Sequence, residues 1–181
     1  KILKIRIFAK VFMKKIILIS TITLLSACSQ QQAHPPVGGI LSEKDLNISK
    51  NRAKSLNEME RAQIQDWINQ QDEKFYPMKL NYWVNQPDLN QKNKKQDGET
   101  VSYQYDIFDF DQVKLSENTK IVKNLQLGKF EELKAVEDAL RYMEKNQEIT
   151  LLIPSVLAFG TYGDNKNIPN DMPLIIKLKT E

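Results

Sequence analysis

The spacing of hydrophobic residues changes character along this chain of 181 residues, and each change predicts a different element. An apolar run over residues 16–27 is too short to cross a bilayer, which needs about 20 residues. Over residues 49–71 the apolar residues recur at steps of three and four, which predicts an amphipathic helix. Ser55 and Glu58 match a capping box, so this helix could instead start late or break there.

After residue 74 the spacing becomes strand-like. Alternating apolar and polar residues over 100–110 predict a half-buried antiparallel strand. Apolar residues three and four apart predict a second helix over 130–145. Further strands are predicted at 79–84, 120–127, 149–153 and 174–178, with a polar loop at 88–97. A sheet packed on one amphipathic helix is an α+β architecture, and residues 75–181 are predicted to form that domain.

The formal net charge of +3 arises from the first 27 residues, which hold six basic and no acidic residues. The remaining 20 basic and 23 acidic residues leave residues 28–181 at −3. Nucleic acid is therefore not an expected partner. One cysteine and one histidine exclude an intrachain disulfide and a multi-thiolate or multi-histidine metal site, so neither metal nor cofactor is predicted.

The N-terminal sequence has the three regions of a secretory signal peptide in their usual order: the basic Met13-Lys14-Lys15, the apolar run, and then small residues. We expect synthesis to begin at Met13 and residues 1–27 to be removed. Leu25-Ser26-Ala27-Cys28 resembles the lipobox of bacterial lipoproteins, in which the cysteine is acylated and anchors the chain to a membrane. The neutral residues that follow Cys28 resemble sorting signals for the periplasmic face of an outer membrane. An ordinary signal peptide with an incidental cysteine is the alternative.

Residues 28–48 begin with a stretch rich in Gln, Pro and Gly, and are predicted to be a lipidated flexible tether. His34 lies in this stretch, where a solvated side chain is expected. The amphipathic segment 49–74 follows, with an apolar stripe that we expect to pack on the domain after it. A homodimer interface through residues 49–71 and a surface that holds client proteins are the alternatives.

The most specific sequence motifs lie in residues 153–175: Ile153-Pro154-Ser155, Ala158-Phe159-Gly160, Ile168-Pro169 and Pro173-Leu174-Ile175. It resembles the last strands and flap of the FKBP-type peptidyl-prolyl cis-trans isomerases. Gly98-Glu99-Thr100-Val101 and Leu127-Gly128 extend the resemblance over about residues 75–181. With the lipobox and the preceding helix, the chain most resembles the gliding motility-associated lipoprotein branch of that family.

The resemblance implies an antiparallel sheet wrapped on one short helix, with an apolar cleft that accepts proline-containing polypeptides. Amide resonance sets a rotation barrier of about 20 kcal/mol, and a dry pocket favours the less dipolar twisted amide without a nucleophile. By resemblance, Tyr105 forms one wall, Leu133 supplies an apolar contact and a backbone N–H, and Phe159 forms the flap. The implied substrate contacts are Leu115, Ser116, Val136 on the floor, Ile168 at the rim and Ile176 on the back wall.

Three positions depart from the family's usual pattern. Val136 replaces the usual tryptophan, Phe159 replaces a tyrosine and Ser116 replaces an acidic residue. The floor should therefore be wider or collapsed, and a lost hydrogen bond costs about 0.5–1.5 kcal/mol. We expect weak isomerase activity and much weaker binding of macrolide inhibitors.

Two functions remain open from the sequence. The first is a membrane-tethered prolyl isomerase that assists the folding of exported proteins, including gliding machinery. The second is a non-catalytic holdase or assembly factor that binds clients through the helix around residues 56–68.

Overall fold

The computed structural model describes residues 42–129 and 131–181. The predicted signal peptide, Cys28, His34 and the predicted tether as far as residue 41 lie outside the described residues. Within the described ranges, no helix is both long and apolar enough to span a membrane.

The first helix, α1, runs from Glu43 to Ile68 without interruption. The predicted bounds of 49–74 were wrong at both ends, and the helix does not break at Ser55. Its first turns lie outside the predicted range because their apolar residues Leu46 and Ile48 are 52% and 58% exposed and belong to neither apolar cluster of the described residues. Residues 43–48 of the predicted tether are therefore helical.

Six antiparallel strands form one sheet in the order β1-β2-β5-β6-β3-β4. This confirms the predicted antiparallel sheet of the α+β class. The strands are β1 (Tyr76–Pro77), β2 (Trp83–Val84), β3 (Thr100–Phe108), β4 (Lys120–Gln126), β5 (Glu148–Ile153) and β6 (Leu174–Thr180).

The predicted strand at 79–84 is wrong over most of its length. A tight turn occupies its first half, where Asn81 has a φ of 64° and the Asn81 N–H donates to the carbonyl of Met78 at 3.0 Å. The Met78 N–H donates to the Tyr82 carbonyl at 2.7 Å, so the turn joins β1 to β2 as a hairpin. Asparagine tolerates the left-handed conformation, which explains why it occupies this position.

The second helix, α2, spans only Lys134–Leu140, so the predicted range of 130–145 was too long at both ends. Leu133 has extended backbone angles (φ −56°, ψ 134°), and a turn follows the helix as the Tyr142 N–H donates to the Ala139 carbonyl at 2.9 Å. The predicted polar loop at 88–97 was also incomplete, because Leu89 is 1% exposed and opens a short 3-10 turn.

The sheet separates two apolar clusters, since successive strand residues point to opposite faces. Leu151 and Ile176 belong to the cluster on the α2 side, whereas Leu152 and Ile175 belong to a smaller cluster with Ile64 of α1. Trp67 and Ile68 also pack against that second cluster. The prediction that the stripe of α1 packs on the following domain is thus confirmed for its C-terminal half.

Candidate functional site

Two of the predicted site residues lie on the sheet face that covers α2. Tyr105 on β3 is 2% exposed, and Ile176 on β6 is fully buried. The register pairs Ile176 with Ile107, two residues along β3 from Tyr105, so both predicted residues project from the same face. The alternation of buried and partly exposed residues along β3 produces this placement.

The helix supplies the opposite side of the predicted cleft. Val136 lies on α2 and is fully buried, while Leu133 sits at the N-terminal cap of the helix and is half-buried against the same cluster. With a valine at the floor, the surrounding side chains close over it. Val136 and Ile176 therefore have no exposed surface here, which agrees with a collapsed floor and not with a widened one.

The flap lies in the connection between β5 and β6. Phe159 is half-buried and packs against the α2-side cluster, and Ile168 is 6% exposed within it. The Asp164 carboxylate accepts the backbone N–H groups of Lys166 and Ile168, both at 2.8 Å. Gly163 has a φ of 65°, and a Cβ there would lie 2.2 Å from the carbonyl oxygen of Ile168, so the turn requires glycine.

The loop between β3 and β4 brings Leu115 and Ser116 to the same region. Leu115 packs against the cluster, and its carbonyl accepts the side-chain amide of Asn167 from the flap connection at 3.2 Å. The Ser116 hydroxyl accepts the backbone N–H of Ile107 at 3.4 Å. This contact holds the loop along β3, so Ser116 acts here as a backbone partner.

One residue at the centre of this arrangement was not predicted. Glu132, with only 3% of its side chain exposed, accepts the hydroxyl of Tyr103 at 2.7 Å and that of Tyr105 at 2.9 Å. Lys120 contacts the same carboxylate at 2.8 Å, and the Leu133 N–H donates to it at 2.8 Å. The two carboxylate oxygens therefore accept two contacts each, and the carboxyl group is fully satisfied.

The tyrosines and the carboxylate shift one another's ionisation. Burial, and then the neighbouring Glu132, raise the pKa of Tyr105 well above its ordinary value. Burial alone would raise the pKa of Glu132, but hydrogen bonds from Lys120, Tyr103 and the Leu133 N–H outweigh it and hold that pKa below 4.5. Glu132 is thus a carboxylate, and both tyrosines are neutral donors, at neutral pH.

This cluster bears directly on two of the predicted roles. The Leu133 N–H expected to hold the substrate is occupied by Glu132, so a substrate carbonyl must displace that carboxylate to reach it. Glu132, two residues before α2, is an acidic partner of the predicted wall residue Tyr105, whereas Ser116 bonds only the backbone of Ile107 among the contacts described above. A signal existed in the sequence: Tyr103 and Tyr105 share one inward face of a strand, and buried tyrosine hydroxyls need acceptors.

Taken together, the geometry gathers seven of the eight predicted residues on one apolar cluster, and Ser116 beside it. The core members are Tyr105, Val136, Ile168 and Ile176, and those packed against them are Leu115, Leu133 and Phe159. The individual roles in substrate contact stay predictions.

Comparison with known proteins agrees with this geometry. Residues 91–180 match the family described as FKBP-type peptidyl-prolyl cis-trans isomerase. The chain is similar in structure to a peptidyl-prolyl cis-trans isomerase from Pseudomonas syringae pv. tomato, with a TM-score of 0.54 and 16% sequence identity over 70% of this chain and 92% of that chain. AtFKBP13 gives a TM-score of 0.48 at 16% identity, over 59% of this chain and 96% of that chain. No curated protein sequence matches this chain.

Proposed function

Since this chain belongs, through residues 91–180, to the FKBP-type peptidyl-prolyl cis-trans isomerases, we propose that it is a membrane-tethered enzyme that assists the folding of exported proteins. The observation that carries the proposal is the convergence of the flap, the sheet wall and the start of α2 on one apolar cluster within the matched residues. Its substrates are polypeptides that contain proline.

The reaction requires stabilisation of a twisted amide and no bond-making side chain. Rotation about the X–Pro bond meets a barrier of about 20 kcal/mol because it breaks amide resonance. The twisted amide is less dipolar than the planar one, so exclusion of water from the cleft favours it. Phe159 and Leu133 supply apolar contact to the substrate in both states. The Leu133 N–H holds the neighbouring carbonyl after Glu132 moves aside.

The Glu132 carboxylate makes this a weak isomerase in our proposal. To bind, the substrate carbonyl must compete with a charged acceptor, and charge-assisted hydrogen bonds are about twice as strong as neutral ones. Binding must also reopen the closed floor over Val136. Both requirements lower affinity and leave the chemistry at the twisted amide unchanged.

A refolding assay limited by proline isomerisation tests the activity, with the purified chain present at catalytic concentration. We expect acceleration over the spontaneous rate, and a loss of roughly tenfold in kcat/KM for Phe159→Ala, since about 1.4 kcal/mol of apolar contact is removed. Tyr162→Ala is the matched control, because Tyr162 lies in the same connection but is 82% exposed. A wild-type rate equal to the spontaneous rate would overturn the proposal.

We further propose that Cys28 is acylated and anchors the chain in the outer membrane, facing the periplasm. The support is the text Leu25-Ser26-Ala27-Cys28 and the neutral residues after it. Fractionation and labelling with a radioactive fatty acid test this: wild type should carry label in the membrane fraction, and Cys28→Ser should not. Label on the serine variant would contradict the assignment.

The resemblance to gliding motility-associated lipoproteins leads us to propose components of the gliding machinery as clients. Deletion of the gene should then abolish surface spreading, and a copy with Phe159→Ala should restore it only partly. Full spreading of the deletion strain would remove gliding components from the proposed clients.

A second candidate is a non-catalytic holdase, which is favoured by the engaged Leu133 N–H and the closed floor. The C-terminal half of the predicted client surface is packed on the sheet, so clients or a second copy would meet the exposed residues Leu46, Ile48 and Met59. Suppression of client aggregation that is lost in Leu46→Ser/Ile48→Ser and kept in Phe159→Ala would establish this function. Sedimentation of the same variants tests dimerisation.

A further inference from the structure

The flap is held from outside the matched isomerase residues by the helix α1. Glu60 is only 4% exposed and accepts two hydrogen bonds from one flap residue, the Ser155 N–H at 2.7 Å and the Ser155 hydroxyl at 2.6 Å. Such short bonds to a carboxylate are stronger than neutral ones. They join residues that lie 95 positions apart in the chain.

This contact reaches the flap phenylalanine through one turn of backbone. The Ser155 carbonyl accepts the Ala158 N–H at 2.9 Å, and Ala158 immediately precedes Phe159. A shift of Ser155 therefore moves the residue next to Phe159, since the turn between them is closed by a backbone hydrogen bond.

A second contact of α1 reaches the other side of Phe159. Arg52 donates to the Asp171 carboxylate at 3.1 Å, and the Asp171 N–H donates to the Gly160 carbonyl at 2.9 Å. Gly160 immediately follows Phe159. The Arg52 side chain is 73% exposed, so this ion pair is the weaker of the two contacts.

Between these two contacts, α1 and the flap connection line a shared cavity of about 600 Å³. Ala53 and Leu56 of the helix face Val156 and Gly160 of the flap connection across it. The side of the flap that faces α1 therefore depends on its attachments at Ser155 and Asp171 for its position.

We infer that Glu60 is a positioning residue for the flap, which it holds through Ser155, and that Arg52 supports it through Asp171. This inference rests on the proposed isomerase function. The helix α1 is thereby part of the isomerase unit, although it lies outside the residues that match the family. Phe159 meets the proline ring in both the planar and the twisted state, so its placement sets substrate affinity more than turnover.

Steady-state kinetics on a prolyl peptide separate positioning from loss of folded protein. A misplaced flap raises KM with little change in kcat, whereas a smaller folded fraction lowers the apparent kcat at unchanged KM. For Glu60→Ala we expect KM to rise about tenfold, because both hydrogen bonds that hold Ser155 are lost. For Glu60→Gln, which keeps an acceptor for the Ser155 N–H, we expect a rise of roughly twofold to threefold.

Three further variants sharpen the test. Glu58→Ala is the matched control, because Glu58 is an exposed glutamate on the same helix, and its KM should stay at the wild-type value. Ser155→Ala should raise KM less than Glu60→Ala, and the double variant should show no added effect because one interaction is removed twice. Arg52→Ala should raise KM about twofold, and Arg52→Lys should restore it.

Hydrogen exchange provides a readout independent of turnover. In Glu60→Ala the amides of Ala158 and Asp171 should exchange faster, while the amides of β3 and β6 keep their wild-type rates. Wild-type KM and unchanged exchange in Glu60→Ala, with an active wild-type enzyme, would overturn this inference alone. An inactive wild-type chain overturns the proposed function, and with it the positioning role.

Discussion

Two glutamates with buried side chains, Glu132 on the α2 face of the sheet and Glu60 on the α1 face, are hydrogen-bonded in different ways. On the α2 face, Glu132 meets a cation, Lys120, together with two tyrosine hydroxyls and a backbone N–H. On the α1 face, Glu60 accepts both of its hydrogen bonds from the neutral donors of Ser155. Both carboxylates are removed from solvent: 3% of the Glu132 side chain is exposed, and 4% of Glu60 as a whole residue.

The difference shows that a buried carboxylate can affect a binding site in two ways: as one of the groups inside the site, or as a support for a loop that forms the site. Glu132 lies among the residues predicted to contact substrate and occupies a donor that the substrate needs. Glu60 holds the flap connection through Ser155, which is not among the predicted substrate contacts. Removal of Glu132 should therefore help binding at a cost in stability, whereas removal of Glu60 should harm binding.

The largest effect is expected from removing a buried side chain between α1 and the sheet. Ile64 is fully buried between α1 and the sheet, and Ile64→Ala should lower the free energy of unfolding by about 2–5 kcal/mol through lost burial and a cavity. Met59→Ala on the same helix should change it by less than about 0.5 kcal/mol, because Met59 is 63% exposed. Urea titration measures both. Equal, small effects would mean that α1 contributes little to folding.

The next effect concerns the α2 face. Glu132→Ala leaves two tyrosine hydroxyls without their acceptor and should cost about 1–3 kcal/mol of unfolding free energy. The same change frees the Leu133 N–H, so kcat/KM for a prolyl peptide should rise several-fold, in line with one hydrogen bond of about 1 kcal/mol. The control is Glu131→Ala, one residue earlier and exposed. A fall in kcat/KM would show that Glu132 organises the site instead of blocking it.

How far sequence patterns predict the molecule differs between the two faces. On the α2 face the period of two around Tyr105 predicted the strand. The flap at Phe159 and its convergence with that strand were implied by the family resemblance alone. Glu132 was not predicted because its partners Tyr105 and Tyr103 lie 27 and 29 residues away in the sequence. Local periodicity does not indicate which carboxylate will contact an inward-facing tyrosine. Buried hydroxyls predict that an acceptor exists without identifying it.

On the α1 face the apolar stripe predicted packing but neither the bounds nor the polar contact. Helix ends follow from capping and exposed turns, which carry no apolar period, so Glu43 was missed as the start. The bond from Glu60 to Ser155 spans 95 residues and depends on how α1 crosses the sheet. Spacing along the chain holds no information about that crossing.

A smaller effect is the pH dependence of the stability that Glu132 contributes on the α2 face. The pKa of Glu132 in the folded protein lies below its ordinary value of 4.5, so its contribution to stability is present above that pH. As pH falls through the folded pKa the contribution is lost, because the unfolded chain binds the proton more readily. The difference in unfolding free energy between wild type and Glu132→Gln should therefore be largest near pH 7 and shrink below pH 4.5. A difference that is constant from pH 7 to 3 would contradict the shift.

The smallest effect is expected from removing the positive charge of Lys120 on the α2 face. Lys120 contacts Glu132 at 2.8 Å and lies 5.3 Å from the centroid of the Tyr105 ring, but 49% of its side chain is exposed. Water can replace part of its interaction, and three neutral donors still hold the carboxylate, so Lys120→Met should cost about 1 kcal/mol or less. The cost should fall further in 1 M salt, which screens charges beyond about 3 Å. Lys123→Met, an exposed lysine on the same strand, is the control and should show no such salt dependence. A loss of several kcal/mol would mean that the neutral donors cannot hold a buried carboxylate on this face, which would set Glu132 apart from Glu60 in energy as well as in geometry.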